Sequence, residues 1–516
     1  MRYRFAFNLC LLLFLFTGSV MLRFENMDKP LGRHHEWITA HTLITLSIWD
    51  AEGLKAHHFS PVYTYAGKSN AGIDMLGGVI DKNGRCYYTS YPPFAFLFPY
   101  LVLHPLGVPP SVKALQILNL LIHFFCALGI FLIMYHVYDK KMGEHTFLPG
   151  LIGFTLYIFS YGNLWFHMNL WFADILMQLF FIYGILLYLK IRKGGTSSRH
   201  FWLLGLVCFL GVYTEWLGLM LVMTLGSIEL IRAIQKKTGY RLFIFLSGVG
   251  IGALALTLWQ YSSISGFSAF WEAAKTKYLI RSGFQDRSIS EYGFNITNPD
   301  SYGKMDGNYN GNYLAIVNLL GIFAMLFIAV CIYRRRYFLN GKEGALLLLI
   351  LTPILLHHLI FFNFNVVHDF STLKTSFLLI TLACILSRRI LLFFESLPFN
   401  WAWTGTLLLL IVTGIKSSES AALYHKNYDT SSGLMPVEQD LSKSMLKTGA
   451  RTDLLWITNA ELNPELVYYT RKNIGRAADR NGAEEFMKNS GKEHAVFFQV
   501  DKSGALAGMY LLGPPP

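Results

Sequence analysis

Two acidic residues near the ends of apolar segments are the best placed in this sequence to carry chemistry. Glu36 lies in RHHEWITAH, at the head of a long polar segment, and Asp174 lies in NLWFADILMQLFFIYGILLYL, just inside an apolar run. A carboxylate at membrane depth is costly to bury and is usually functional. The structural alternatives are a solvated loop acid for Glu36 and, for Asp174, an acid that satisfies the N–H groups of a first helical turn.

Further charged residues lie at turns between later apolar runs. Glu215 lies in LGVYTEWLGL, His368 and Asp369 lie in NFNVVHDFSTLK, and Lys374 follows about one turn further on. A lysine or arginine there could pair with a phosphate, whereas a lysine that reaches from a helix end to the interface is the structural alternative. Glu215 fits equally well as the acid of a helix start.

Several histidines suggest a metal site, but their spacing does not support one. Five lie in the first polar segment and two in a later apolar run: His34, His35, His41, His57, His58, His357 and His358. None of the first five forms an HExxH pair, adjacent histidines do not share a helix face, and the cysteines form no CxxC pair. We therefore predict no metal-ligating residues, and we leave a divalent cation open as a cofactor.

The composition places these residues in a membrane protein. The 516 residues are 53% hydrophobic and only 15% charged, against about 25% charged in a typical soluble domain. The apolar runs reach the roughly 18 residues that a spanning helix needs. A formal net charge of +12 raises the question of nucleic acid. The basic residues, however, lie in short clusters between apolar runs, as in cytoplasmic loops, so we predict no nucleic-acid partner.

About eleven apolar segments are predicted to span the membrane as helices. They lie near residues 5–22, 112–137, 147–163, 171–190, 201–214, 216–233, 242–262, 313–333, 344–362, 370–387 and 401–415. The basic clusters occupy alternate loops, because the short loops between them, near 163–171, 213–217 and 363–371, have no lysine or arginine. The positive-inside rule then predicts a multi-pass protein of the plasma (inner) membrane, with a cytoplasmic N-terminus and an extracytoplasmic C-terminus.

The first external loop is predicted to contain two surface helices. Residues Pro93–Leu106 are apolar, but a helix of this length covers only ~21 Å of a ~30 Å hydrocarbon core. This segment also contains Pro99 and Pro105, so we expect it to lie at or dip into the interface. An amphipathic helix on the membrane surface is predicted from an apolar stripe formed by Trp37, Ile38, Leu43, Leu46 and Trp49.

The predicted fold is therefore an all-α polytopic membrane protein with a small C-terminal α/β domain. The spanning part covers residues 1–415 and includes two long external loops, 23–111 and 263–312. In the tail, residues 416–516, the segments DLLWIT and HAVFFQV have strand character, whereas NPELVYYTRKN and GAEEFMKN are helical in pattern. We predict that this tail is extracytoplasmic.

Four segments, in this order, resemble the GT-C superfamily of membrane glycosyltransferases. The likeness is to bacterial members similar to the lipid A aminoarabinose transferases and the protein mannosyltransferases. HEWITAH stands where that family has an acidic motif, and YTSYPPFAFLFPYLVLHPLG resembles its Pro-Pro interfacial helix. WFADILMQLFFIYGILLYL and FLGVYTEWLGLMLVMTL resemble its Asp-led fourth helix and the hairpin that follows. The matches cover roughly residues 1–235. The family's loop motif is usually an acidic pair, but here His35 precedes Glu36, and Glu215 replaces a frequent lysine.

The resemblance implies transfer of a sugar from a polyprenyl-phosphate donor to a hydroxyl of a lipid, glycan or protein acceptor, among membrane lipids. Glu36 would be the base or orient the acceptor, and Asp174 would be the second carboxylate. Lys374, Arg281 and Arg287 would hold the phosphate. The other expected substrate contacts are Tyr91, Pro92 and Pro93, which would shape the donor groove, and His35, Glu215, His368 and Asp369.

Three other functions fit parts of the pattern. A transporter or flippase of lipid-linked precursors would use the same charges without bond chemistry, but the sequence has no convincing internal repeat. A metal-dependent lipid-modifying enzyme would use the histidines of the first external loop. A non-enzymatic assembly scaffold would leave the aligned acidic residues without a purpose.

Overall fold

The fold consists mainly of long apolar helices, followed by one small mixed sheet. The computed structural model describes residues 2–65, 78–138, 147–194, 198–284, 293–334, 341–397, 401–431, 437–451, 453–461 and 464–514. The helices, in chain order, are α1 (Arg2–Phe24), α2 (Glu36–Glu52), α3 (Phe94–Leu103), α4 (Val112–Val137), α5 (Phe147–Phe159), α6 (Tyr161–Asn169), α7 (Ala173–Gly194), α8 (Ser198–Val212), α9 (Trp216–Ile234), α10 (Arg241–Ser265), α11 (Phe267–Ser282), α12 (Pro299–Arg334), α13 (Gly341–Ile360), α14 (Phe362–Val367), α15 (Leu373–Glu395), α16 (Trp401–Ser431), α17 (Val437–Lys447), α18 (Pro464–Thr470) and α19 (Arg480–Asn489). The strands are β1 (Val79–Ile80), β2 (Cys86–Tyr87), β3 (Leu455–Thr458), β4 (Ile474–Arg476), β5 (Ala495–Val500) and β6 (Leu506–Leu512).

Eleven helical units of the described chain coincide with the eleven predicted spans. Within the described ranges, nine helices are long and apolar enough to cross a membrane: α1, α4, α7, α9, α10, α12, α13, α15 and α16. Helices α5 and α6 form a pair bent by 55°, and α8 is a shorter apolar helix. The prediction of an all-α polytopic membrane protein is confirmed. The short helix predicted within Pro93–Leu106 is present as α3 and a 3-10 turn, His104–Leu106.

Within the predicted external loop 263–312, the described residues 263–284 and 293–312 are largely helical. They contain α11 and the first part of α12, which is broken at Tyr313 by non-helical backbone angles. Asn308 Nδ2 donates to the Val366 carbonyl at 2.9 Å, and Asn312 Nδ2 donates to the Asp369 carbonyl at 3.3 Å. The polar residues that suggested a loop therefore bond to a neighbouring segment, and tertiary contacts override the low helix propensity of Asn and Gly.

Helix α2 is present, but the prediction that its apolar stripe faces the membrane surface is wrong. Four of the five stripe residues, Ile38, Leu43, Leu46 and Trp49, are buried within the protein, and Trp37 is exposed. Helix α2 packs against α3 and α18. The stripe is apolar because it faces a protein core, and a hydrophobic stripe alone does not distinguish protein from lipid as its partner.

The C-terminal residues form a four-stranded sheet in the order β4-β3-β5-β6. β3 pairs in parallel with β4 and β5, and β5 pairs antiparallel with β6. Both predicted strands and both predicted helices are present, as β3, β5, α18 and α19. The predicted division between residues 415 and 416 falls inside α16, which continues to Ser431.

Helix α18 and the turn after it fasten this sheet domain to residues 23–65. The N–H of Leu31 donates to the Tyr469 hydroxyl at 2.8 Å. Asn473 bonds twice to the backbone of Tyr65: its Oδ1 accepts from the Tyr65 N–H at 2.9 Å, and its Nδ2 donates to the Tyr65 carbonyl at 2.8 Å. The domain is therefore held against the segment that carries Glu36.

The turn between α8 and α9 brings two helices into backbone contact. A Cβ added at Gly218 would lie 2.2 Å from the carbonyl carbon of Gly211, far closer than van der Waals contact allows. Within the same turn Glu215 caps α9, because its Oε2 accepts from the Leu217 N–H at 2.7 Å. Glycine at position 218 therefore allows the tight turn that positions Glu215.

The docking of α18 predicts a pH-dependent stability. Glu465, in the first turn of α18, is buried, and burial raises the pKa of its carboxyl to about 8. The acids that act on it, Glu438 from α17 and Glu36 from α2, also oppose its ionisation. The folded protein therefore keeps a proton that the unfolded chain releases, so this contribution to stability is full at low pH, falls as pH rises toward ~8 and then levels off.

We expect the thermal midpoint of the wild type to fall more steeply between pH ~5 and ~8 than that of Glu465→Gln, which cannot ionise. Thermal unfolding of the full chain in detergent, over a series of pH values, measures both slopes. Groups that do not interact with Glu465 contribute equally to the two proteins, so the difference reports Glu465 together with its coupling to Glu36 and Glu438. Identical slopes would contradict the prediction.

Candidate functional site

Charged side chains from five helices meet at one end of the helix bundle. Asp174 lies in the first turn of α7, Lys374 is the second residue of α15, and Arg281 lies in the last turn of α11. Glu215 is the N-cap of α9, and His357 lies in the last turn of α13. These groups lie within electrostatic range of one another. Helix ends therefore supply every member of this charged cluster.

The centre of the charged cluster is an ion pair between Lys374 and Asp174. Lys374 Nζ lies 2.7 Å from Asp174 Oδ1, and both side chains have no exposed surface. Beyond this contact, neither group has a hydrogen-bond partner within the described residues. Buried charged groups usually have all their hydrogen-bonding positions filled, so the pair retains unused capacity that a bound ligand could fill.

Glu215 and His357 form a second buried pair beside the first. His357 Nε2 lies 2.8 Å from Glu215 Oε1, while Glu215 Oε2 accepts from Leu217. The amide of Asn365 donates to His357 Nδ1 at 3.2 Å. Because Nδ1 accepts, Nε2 carries the proton of a neutral imidazole and donates it to Glu215. Both carboxylate oxygens of Glu215 are thus engaged within the protein.

Arg281 has no carboxylate partner within ion-pair distance among the described residues. Its guanidinium donates to the Ser90 carbonyl at 3.1 Å and to the Tyr88 hydroxyl at 3.2 Å. It lies over the ring of Tyr91, at 4.2 Å from the centroid, and at 5.0 Å from the centroid of Phe364. Lys374 Nζ lies 5.1 Å from the same Phe364 centroid. Two cations therefore share one aromatic ring.

Aromatic rings form a wall around these cations. Tyr91 contacts Phe172 edge-on at 5.1 Å between centroids and Phe364 at 6.1 Å. The Tyr91 hydroxyl is buried and has no hydrogen-bond partner within the described ranges. Pro92 and Pro93 are buried next to it, and Pro93 is the N-cap of α3. Of the three predicted donor-groove residues, Tyr91 is thus the one with a recorded contact to Arg281.

Glu36 lies in a different environment. Its Oε2 accepts from the N–H groups of Gly32 at 2.8 Å and Arg33 at 2.9 Å, and the Arg33 guanidinium lies 3.8 Å away. Burial raises the pKa of Glu36 to about 7, although these N–H groups act in the opposite direction. No hydrogen bond or ion pair joins Glu36 to Asp174 in the part of the chain that the structure describes.

His35 and Asp369 form a third group, together with His34. His35 Nε2 lies 2.6 Å from Asp369 Oδ1, and His34 Nε2 lies 3.1 Å from Asp369 Oδ2. His368, the neighbouring predicted contact, stacks on Phe370 at 5.0 Å between ring centroids and also meets the His35 ring edge-on at 6.3 Å.

The predicted site residues therefore fall into two clusters, and Glu36 lies apart from both. Asp174, Lys374, Arg281, Glu215 and Tyr91 come together; His35 meets Asp369; and Arg287 lies outside the described residues. The sequence analysis missed the part of His357 in the charged cluster, although an ionisable residue inside an apolar helix is itself a signal. Phe370 connects the clusters, because its ring packs against both His35 and Phe172.

Sequence comparison finds no relative: no family model matches the chain, and no curated protein matches it. Solved structures do match. AglB, the archaeal oligosaccharyltransferase from Archaeoglobus fulgidus in complex with an inhibitory peptide and a dolichol-phosphate, is 11% identical with a TM-score of 0.56, over 96% of this chain and 70% of AglB. ArnT from Cupriavidus metallidurans bound to undecaprenyl phosphate is 11% identical with a TM-score of 0.53, over 95% of this chain and 93% of ArnT.

The chain has the GT-C fold. The A. fulgidus oligosaccharyltransferase in complex with Zn and sulfate is also similar, at 12% identity and a TM-score of 0.55, over 94% of this chain and 67% of the other. Likeness to GT-C structures thus extends well beyond residues 1–235, where the sequence motifs lie. The resemblance predicted from sequence is confirmed at the level of the fold.

The buried ion pair predicts a specific pattern of stability changes. Asp174→Asn or Lys374→Met leaves one uncompensated charge in an apolar site, and we expect each variant to lose about 3–5 kcal/mol of unfolding free energy. The double variant removes both charges and is expected to lose clearly less than the sum. Thermal and denaturant unfolding of the four proteins in detergent measures this coupling.

Lys416→Met is the control, because Lys416 pairs with the half-exposed Glu419 at 2.9 Å on α16. Removing that pair is expected to cost less than about 1 kcal/mol. Strictly additive losses at Asp174 and Lys374 would mean that the two charges do not stabilise each other.

Proposed function

We propose that this protein is a glycosyltransferase that moves a sugar from a polyprenyl-phosphate donor to an acceptor hydroxyl at the extracytoplasmic face of the membrane. The observation that carries the proposal is the sharing of Phe364 by two buried cations, Arg281 and Lys374, within a GT-C fold. Dolichol-phosphate in AglB and undecaprenyl phosphate in ArnT are ligands of the kind that these cations would bind.

The hydrogen-bond partners of Arg281 leave room for a phosphate ligand. Asp174 pairs directly with Lys374, whereas the guanidinium of Arg281 contacts only neutral groups within the described residues and has no direct anionic partner there. A guanidinium presents several N–H donors in a plane that matches phosphate oxygens. Cations and N–H groups fixed at the leaving phosphate stabilise the charge that develops as the sugar departs.

The transfer needs a base for the acceptor, and Glu36 is the proposed one. Its Oε2 is held by the N–H groups of Gly32 and Arg33, which leaves Oε1 without a hydrogen bond among the described residues. Oε1 would take the hydroxyl proton as the acceptor oxygen attacks the anomeric carbon. The bond from that carbon to the phosphate oxygen breaks, and the phosphate leaves with the bonding electrons beside Arg281 and Lys374.

Asp174 would then be a positioning residue that holds Lys374 Nζ at the phosphate. The sheet domain beyond α16 would be extracytoplasmic and would cover the segment with Glu36. The basic clusters favour this orientation, with the N-terminus in the cytoplasm of a cell with an inner membrane. The acceptor hydroxyl would belong to a lipid, a glycan or a protein.

Mass spectrometry of envelope lipids and glycans tests the function directly. Cells without the gene are compared with cells that carry the wild type, Arg281→Gln or Lys275→Gln. We expect Arg281→Gln to accumulate polyprenyl-phosphate sugar and to lose one sugar from the acceptor, with a transfer rate in membranes reduced by about 10²–10³. Lys275 lies on the same helix but is exposed, so Lys275→Gln is expected to behave as the wild type.

A redistribution of lipid-linked sugar across the membrane, with no change in any glycan, would instead indicate a transporter and would overturn the proposal.

The proposed role of Glu36 predicts that replacing it slows sugar transfer without weakening donor binding. Glu36→Gln keeps the size of the side chain but removes its ability to take a proton, so we expect a fall of about 10²–10⁴ in the transfer rate, with little change in donor KM. Asp50→Asn is the control, because Asp50 is a half-exposed acid at the opposite end of α2, paired with His104. Full transfer by Glu36→Gln would exclude Glu36 as the base.

A further inference from the structure

Two adjacent histidines and a distant aspartate converge at the start of α2. The two imidazole Nε2 atoms each contact a different oxygen of Asp369, at 3.1 Å for His34 and 2.6 Å for His35. The three potential ligand atoms lie within 4.8 Å of one another. Asp369 is 334 residues from His35 along the chain, so the cluster joins two separate segments.

The backbone explains how neighbouring histidines reach one carboxylate. His35 is the N-cap of α2 and has φ 67°, in the left-handed region. The two rings therefore lie side by side, with centroids 3.8 Å apart. Adjacent residues within a helix would point to different faces, but these two precede the helix. The sequence-based objection to a shared ligand set therefore does not apply to His34 and His35.

We propose that His34, His35 and Asp369 bind a divalent transition-metal cation of the Zn²⁺ class. Two imidazoles and one carboxylate are ligands that Zn²⁺ accepts, at bond lengths of about 2.0–2.2 Å. Ligand atoms as close as these reach a common ion with small rotations of the side chains. This proposal departs from the prediction that the chain has no metal-ligating residues.

The exposure of the three ligands indicates an open site. The side chain of His35 is 11% exposed and that of Asp369 21%, whereas that of His34 is 55% exposed. The ion would thus be anchored on the buried side and accessible beside His34. With three protein ligands, a tetrahedral ion keeps one position for water or another oxygen ligand, as catalytic rather than structural zinc sites do.

The ion would link the two parts of the proposed active site. His35 immediately precedes Glu36, and Asp369 begins the turn that leads into α15 and Lys374. One ion would therefore clamp the segment of the proposed base to the helix that carries a proposed phosphate-binding cation. Metal binding itself does not rest on the proposed function, because it is measured without any transfer reaction.

Metal binding by the full chain in detergent tests the site. The protein is purified with a tag that contains no histidine, stripped with EDTA and titrated with ZnCl₂ alone, with affinity from calorimetry and stoichiometry from elemental analysis. We expect one tightly bound Zn²⁺ per wild-type chain. His34→Ala, His35→Ala and Asp369→Asn are each expected to weaken binding by at least about a hundredfold, since loss of even an outer-sphere partner costs 10–100-fold.

His58→Ala is the matched control, because His58 is an exposed histidine of the same loop that also has a positive φ, 53°. Its Zn²⁺ affinity is expected to equal that of the wild type. Since Asp369→Asn could impair folding, His34→Ala supplies an independent measurement. Zn²⁺ should raise the thermal midpoint of the stripped wild type but not that of His34→Ala. Absence of Zn²⁺ binding by the wild type, or equal binding by His34→Ala and the wild type, would overturn the proposal.

Discussion

A charge enclosed by apolar helices must be compensated, and the contact between Lys374 and Asp174 meets this requirement at the centre of the molecule. The two residues start different helices, α15 and α7, so their attraction fixes the relative position of those helix ends. Removing either charge would leave the other uncompensated in a medium of low dielectric constant. The other groups of the charged cluster are arranged around this pair.

The helices next to α7 and α15 are also joined through side chains at their ends. Glu215 caps α9 and accepts from His357 of α13, so a short turn and a long helix are joined through one carboxylate. Gly218 allows the close approach of α8 and α9 that makes this turn possible. Arg281 completes the site from α11, with the Tyr91 ring beneath it. The polar groups of the charged cluster meet at one end of the helix bundle because helix ends supply both the side chains and the unpaired backbone groups.

The sequence was sufficient for the architecture and for part of the site. Long apolar runs predict spanning helices because the hydrocarbon core permits few other structures, and Asp174 and Lys374 were noticed because a charge in such a run is costly. The polar helices of residues 263–312 and the burial of α2 were not predictable, because both depend on which distant segment packs against them. The convergence of His34, His35 and Asp369 depends on one left-handed residue and on a contact across most of the chain.

The hydrogen bonds between Leu31 and Tyr469 and between Tyr65 and Asn473 have a thermodynamic consequence. They connect the sheet domain to the segment on both sides of α2, so any molecule that orders this segment also favours the docked position of the domain. Such coupling is reciprocal: whatever strengthens docking must tighten the binding of that molecule by the same factor. A partner that binds the outer surface of the docked sheet therefore changes the affinity for that molecule without contacting the long apolar helices.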